Sequence, residues 1–148
     1  MGKPEIVACT PRGIMSIIES TGVDLTSKTA VVVGRSIIVG KPVSALLLNK
    51  NATVITCHSK TKNLKKYTKM ADVLVVAAGV PHLITSDMVK KNAIVIDVGI
   101  NRIDGKIIGD VDTENVLNVA KYLTPVPGGV GITTVISLLE NLIDMASK

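Results

Sequence analysis

A single α/β domain around a mainly parallel, doubly wound sheet is the fold this sequence predicts, and three observations carry that prediction. Apolar, β-branched runs at 30–33, 53–57, 73–78 and 93–98 alternate with stretches of helical character, which is the order of βαβ units. The 148 residues are 47% apolar, enough for one domain with a real core and too few for two ordinary ones. At 30–42 the chain reads AVVVGRSIIVGKP: a strand, a glycine-gated turn at Gly34, Arg35 and Ser36, an apolar link, and a helix starting near Gly40.

That third stretch organises the rest. Four small or β-branched residues without a polar partner suit a strand covered on both faces. Pro42 is tolerated in the first helical turn because the first amides of a helix have no intrahelical acceptor. Those unpaired N–H groups, with the positive end of the helix dipole, make a phosphate site. Strand, Gly-rich turn and helix form the first unit of a dinucleotide-binding fold. The series Gly34, Ser36, Gly40 departs from G-x-G-x-x-G, with serine for the second glycine and the third displaced by one. On this stretch alone, a plain strand-to-helix turn stands open beside nucleotide binding.

In chain order, the prolines and turn residues of GKPEIVACTPRG read as an extended lead-in followed by a helix. Thr10 is placed to cap it, Pro11 to open it, and Ile14, Met15, Ile17 and Ile18 supply its apolar face, with an end near Gly22. The helix after the glycine turn runs to Asn49 with Val43, Leu46 and Leu47 toward the sheet; the strand at 53–57 closes a right-handed crossover. A helix at 62–70, the strand at 73–78, a short helix capped by Ser86 and the strand at 93–98 follow. Asp104-Gly105 between apolar flanks predicts a type I′ hairpin within 99–110. Asp112 is expected to cap a helix to Val119, followed by a brief strand at 122–124 and the loop PVPGGVG. The last helix, 133–146, carries a wide apolar face of Val135, Leu138, Leu139, Leu142 and Ile143.

Composition excludes several functions. Lys+Arg of 17 against Asp+Glu of 12 gives a net charge of +5, which fits a phosphate-bearing partner. With no Trp, no Phe and only Tyr67 and Tyr122, the chain lacks the stacking platforms of single-strand binders, so no nucleic-acid partner is expected. Lys60, Lys62, Lys65, Lys66 and Lys69 read as a solvated helix face. No apolar run approaches the roughly 18 residues of a membrane span, and no signal-like stretch opens the chain, so a cytoplasmic protein without a membrane partner is expected. Cys9 and Cys57 are expected as thiols. His58 and His82 have no companions at metal-ligand spacing, so no metal site is assigned. Asp97, at the carboxyl end of a central strand, is read as a carboxylate that fixes loop amides rather than as an acid catalyst.

The end of the second strand speaks to the cofactor. An NAD site places an acidic residue there for the adenine ribose. Here the residues are Thr56, Cys57, His58, Ser59 and Lys60, with Arg35 from the first turn. A hydroxyl and cations suit a 2′-phosphate, so NADP is preferred, with NAD possible.

Together, VVVGRSIIVGKPVSALLL, ATVITCHSKT, AAGVP, VIDVGIN, GDVD and TPVPGGVG resemble the cofactor-binding domain of the bifunctional methylenetetrahydrofolate dehydrogenase/cyclohydrolase family, over nearly the whole chain. The resemblance implies a Rossmann-type domain that receives hydride from 5,10-methylenetetrahydrofolate on NADP, in one-carbon folate metabolism. It places Gly34, Arg35 and Ser36 against the diphosphate and ribose, Ser59 at the 2′-phosphate, and Ile100 at the nicotinamide half. The segment Pro127, Gly128, Gly129, Val130, Gly131 matches the one that approaches the folate; glycines let backbone come close to a flat ligand. The chain departs from the family at Ala8, where proline is usual, and over Ile132, Thr133 and Thr134, where Pro-Met-Thr or a near relative is usual.

The resemblance also implies that the family's N-terminal domain, with its catalytic lysine, tyrosine partner and pterin-binding aspartate, is absent from this chain. No catalytic residue is therefore assigned, folate is expected only with a second domain, and a homodimer or a complex with the missing domain is expected. A stand-alone nucleotide-binding or interaction module is the second reading.

Overall fold

In the computed structural model, which describes residues 6–147, the chain starts with helix α1 (Cys9–Ser20) and then alternates strand and helix. There follow β1 (Thr29–Val33), α2 (Gly40–Asn49), β2 (Thr53–Cys57), α3 (Leu64–Thr68), β3 (Val73–Val76), a 3₁₀ turn (Ser86–Met88) and β4 (Ile94–Asp97). A hairpin of β5 (Asn101–Ile103) and β6 (Lys106–Ile108), helix α4 (Thr113–Val116), β7 (Tyr122–Leu123) and α5 (Val130–Ala146) complete it. Residues 2–5, the start of the expected lead-in, lie outside the described residues.

The main sheet has five strands in the order β2-β1-β3-β4-β7, and its neighbours pair in parallel. From β1 the chain winds outward to β2 and then back across to β3, so the winding reverses beside β1, the position where open α/β sheets bind ligands. Val33 pairs with both Cys57 and Val76, and Val76 with Asp97. That register brings the loops after four strands out at one edge. Successive residues of β1 serve opposite faces: Ala30 and Val32 pack with Ile14, Ile18, Val43 and Leu47, while Val31 and Val33 pack with Leu74, Val76, Val95 and Ile84. Both faces are covered at β1, β3 and β4, which is why these strands read as apolar runs, while the edge strand β2 keeps Thr53 and Thr56 exposed.

Gly34 has φ +125°, and a Cβ there would overlap the carbonyl oxygen of Ala77; a Cβ on Gly40 would overlap that of Gly34. The first and third glycines of the turn thus let strand end, neighbouring loop and helix start pack at backbone distance. Asp104 (φ 48°) and Gly105 (φ 77°) form the hairpin turn in the left-handed conformation its sequence demands.

Several expectations shift. Ala8, not Thr10, holds the N-cap position of α1, and the Thr10 hydroxyl instead accepts a hydrogen bond from Thr134 Oγ1 at 3.2 Å. Thr85 rather than Ser86 precedes the 3₁₀ turn. Asp112 stands at the N-cap of α4, but its carboxylate accepts from Asn115 Nδ2 at 2.7 Å. The helices at 62–70 and 112–119 are shorter than expected, and α5 begins at Val130 rather than at 133, which moves Gly131 from the loop into the helix.

The largest difference is how α5 is turned. Ser137 and Asn141 are its buried face, 1% and 5% exposed, while Leu139 and Leu142 are 57% and 50% exposed. A polar seam to α1 fixes that orientation. Arg12 donates from Nε to Glu140 (2.9 Å) and from Nη1 to Asn141 Oδ1 and Asp144 (both 2.6 Å), and Asn141 Nδ2 donates to the Val7 carbonyl at 2.8 Å. Gly13 allows this approach, since a Cβ there would stand 2.7 Å from Thr133 Oγ1. Buried hydrogen bonds left unmade cost more than exposed methyl groups, so the polar side wins the interior. Among the described residues no helix is long and apolar enough to cross a membrane.

This orientation predicts a contrast in stability. Leu47→Ala, at a fully buried position, costs about 2–5 kcal/mol, whereas Leu139→Ala, in the monomer at concentrations too low for self-association, changes stability by less than about 0.5 kcal/mol. Urea unfolding followed by circular dichroism reads both; a loss above about 2 kcal/mol at Leu139 would place that side chain in a core.

Candidate functional site

Two clefts open along the edge where the strands end. The first, about 460 Å³, lies over the ends of β1, β2 and β3 and includes Gly34, Arg35, Ser36 and Ser59 in its walls. The second, about 360 Å³, lies between the end of β4 and the start of α5 and includes Ile100 and all of Pro127, Gly128, Gly129, Val130 and Gly131. Each residue that the family resemblance places against a ligand therefore lines one of two clefts on the same edge. Lys60, beside Ser59 in the chain, is exposed but does not line the first cleft.

The register of the sheet delivers these residues. The Gly34 amide donates to the Cys57 carbonyl (2.8 Å) and the Ala77 amide to the Val33 carbonyl (2.7 Å), so the turn after β1 and the loops after β2 and β3 share a floor. Arg35 and Ser36 are exposed on that floor. The first amides of α2, which the sequence alone leaves free for a phosphate, are engaged within the turn. Ser36 Oγ accepts from the amides of Val39 (3.2 Å) and Gly40 (3.3 Å), and the Ser36 carbonyl accepts from Lys41 (3.0 Å). The serine at the second glycine position therefore closes the helix start itself.

His58 lines the first cleft, and its Nδ1 accepts the Lys60 amide at 3.2 Å, so it shapes the loop. Among the described residues no group of three His, Cys, Asp or Glu side chains could hold a metal ion. Burial pushes the Cys57 thiol above its ordinary pKa, and a hydrogen bond with Thr61 partly offsets this; both Cys57 and Cys9 are free.

Asp97 behaves as its position predicts. It is 1% exposed; Oδ1 accepts from the amides of Gly99 (2.9 Å) and Asp110 (3.0 Å), and Oδ2 from Val111 (3.0 Å). Burial raises its pKa against the pull of those three N–H bonds, and the neighbouring Asp110 raises it further. With both oxygens engaged, it is a fixing group.

Asp110, Asn101 and Thr124 were missed from the sequence. Asp110 is fully buried and accepts from the amides of Ala78 (2.7 Å) and Gly79 (2.8 Å) and from Asn101 Nδ2 (2.9 Å). Thr124 Oγ1 accepts from the Asp97 amide at 2.8 Å. A trace of this was visible in the alternation of glycine and aspartate. A Cβ on Gly99 would overlap Asp110, and one on Gly109 would overlap Asp97.

Comparisons with known proteins show the family and the fold. Residues 8–148 match the family described as tetrahydrofolate dehydrogenase/cyclohydrolase, NAD(P)-binding domain. A bifunctional protein FolD from Bacillus cytotoxicus is 53% identical over 148 residues, covering 99% of this chain and 52% of the relative. The crystal structure of the bifunctional FolD enzyme from Campylobacter jejuni superposes with a TM-score of 0.93 at 52% identity, over 95% of this chain and 50% of that one. The Trypanosoma brucei enzyme, solved with NADP cofactor and inhibitor, gives 0.92 at 39% identity, over 97% of this chain and 52% of that one. The chain thus spans about half the length of the relatives it matches. With a Rossmann-type parallel sheet, two clefts on its carboxyl edge and a family match over nearly its whole length, this chain belongs to the tetrahydrofolate dehydrogenase/cyclohydrolase family, as its NAD(P)-binding domain.

Proposed function

We propose that the chain binds NADP across both clefts, as the cofactor-holding half of a methylenetetrahydrofolate dehydrogenase/cyclohydrolase. The observation that carries the preference for NADP is the first cleft. Arg35 and Ser59 line it, and no Asp or Glu stands among its described lining residues. An ionised acid there would repel a 2′-phosphate; a guanidinium and a hydroxyl hold one. The relative from Trypanosoma brucei, solved with NADP, supports the same choice.

In this reading Gly34, Arg35 and Ser36 face the diphosphate and ribose, Ser59 the 2′-phosphate, and Ile100 the nicotinamide half. When bound, NADP supplies the hydride acceptor. The folate approaches over Pro127 to Gly131. A Cβ on Gly128 or Gly131 would meet nothing within 4 Å, so packing within the protein does not require glycine at 131, and the space is free for a flat ligand. Hydride transfer is largely a positioning problem, and this chain forms one wall of the site. Moving a proton at the bridging carbon needs an ionisable group, which the second cleft does not offer: Asp97 is its one ionisable lining side chain among the described residues, and its oxygens are committed to amides. A cytoplasmic setting, with reduced Cys9 and Cys57, belongs to the same reading.

The exposed side of α5 gives this chain a partner, in the simplest case a second copy. Exposed apolar patches beyond a few hundred Å² are unusual on soluble monomers, and identical patches satisfy each other in a closed two-fold dimer.

Three measurements test these points. Arg35→Ala weakens NADP by about 1–2 kcal/mol in calorimetric titration and NAD by less; equal loss for both would sink the 2′-phosphate assignment. The purified chain shows no dehydrogenase or cyclohydrolase turnover with methylene- or methenyltetrahydrofolate, and robust turnover, once contaminating enzyme is excluded, would mean that the catalytic groups are misplaced. In sedimentation the chain runs as a dimer at tens of micromolar, and the double change Leu139→Lys, Leu142→Lys reduces it to a monomer with its sheet intact. A monomeric wild type would remove the dimer.

A further inference from the structure

Backbone of the loops after the neighbouring strands β3 and β4 divides the two clefts, and the groups holding that wall are two buried carboxylates, Asp97 and Asp110. On one side the wall is Ala78, which lines the first cleft; on the other it is Gly99 and Ile100, which line the second. Gly79 and the start of the hairpin at Asn101 lie beside them in the chain. Asp110 Oδ2 takes the amides of Ala78 and Gly79, and its Oδ1 takes Asn101 Nδ2, so one side chain ties the loop after β3 to the hairpin that follows Ile100. Asn101 Nδ2 also donates to the Ile108 carbonyl at 3.2 Å, which locks the two strands of the hairpin to the same anchor. Asp97, from beneath, holds the backbone of Asp110 and Val111.

Two carboxylates in a buried place oppose each other electrostatically, and such an arrangement destabilises a fold unless N–H donors compensate it. Five backbone amides and one side-chain amide do so here. A neutral network of the same shape would hold a fold with less opposition. What the two side chains add is a set of fixed hydrogen bonds at the junction where a ligand spanning both clefts must cross.

We propose that Asp110 is a positioning residue for the nicotinamide half of the dinucleotide, acting through Ala78, Gly79 and Asn101 on the wall that carries Ile100. This rests on the reading that NADP spans both clefts. Asp110 itself contacts no ligand: it is fully buried and lines neither cleft. Its effect falls on the part of the ligand beyond the wall and spares the part held by Arg35 and Ser59.

The test compares two ligands on the 148-residue chain by calorimetry: NADP, and 2′,5′-ADP, which carries the 2′-phosphate end without the nicotinamide half. In Asp110→Asn the carbonyl oxygen still accepts from Ala78 and Gly79, but its amide now meets the amide of Asn101. NADP affinity falls about tenfold, the size of one charge-assisted hydrogen bond, while 2′,5′-ADP stays within about twofold. Asn101→Ala, which cuts only the link to the hairpin, shifts the same ratio in the same direction by about threefold and keeps the test alive should Asp110→Asn fail to fold. Equal weakening of both ligands, or no change in either, overturns the proposal and leaves Asp110 with a structural role. A wild-type chain that binds 2′,5′-ADP as tightly as NADP overturns it too, while sparing the assignment of the adenosine end. Binding of neither ligand by the wild type overturns the dinucleotide reading itself, and this inference with it.

Discussion

The structure depends on one row of paired residues across the sheet: Cys57, Val33, Val76 and Asp97, each in register with its neighbour. Because the strands run parallel, a shared register means a shared end, and four consecutive loops emerge at one level. A slip by one residue would turn Val33 and Val76 to the opposite face and separate the turn at Gly34 from the loops after β2 and β3. The apolar layers on both faces oppose such a slip, since Val31 and Val33 need one cluster and Val32 the other. Core packing and site geometry are therefore set by one constraint.

What the sequence disclosed follows the range of the forces involved. Strands buried on both faces, the glycine turn and the Asp104-Gly105 hairpin were legible because each is determined by residues a few positions apart. The position of Asp97 at a strand end disclosed its task for the same reason. Thr10 shows the limit. As a residue before Pro11 it is a fitting cap, yet across the fold it meets Thr134, more than a hundred residues away. Ser36 reads as a flaw in a glycine motif, and only the folded turn shows its hydroxyl closing the start of α2.

The candidate site divides the same way. Gly34, Arg35, Ser36 and Ser59 lie near two strand ends and could be read from spacing, whereas Asp110 acts on Ala78 and Gly79 from 32 and 31 positions away. Helix α5 is a related case. Its hydrophobic periodicity was plain, but periodicity names a face without saying which way it turns. Arg12, Glu140, Asn141 and Asp144 decide that through a polar seam that appears only when the two ends of the chain meet.

That meeting has a consequence for motion. Asn141 Nδ2 holds the Val7 carbonyl and also approaches Cys9 Sγ at 3.6 Å, so the first and last helices share one anchor. Chain ends ordinarily fray independently and exchange their amide hydrogens first. Here neither helix can peel away without breaking the seam that restrains the other, which makes α1 and α5 a single opening unit whose slow amides gain and lose protection together.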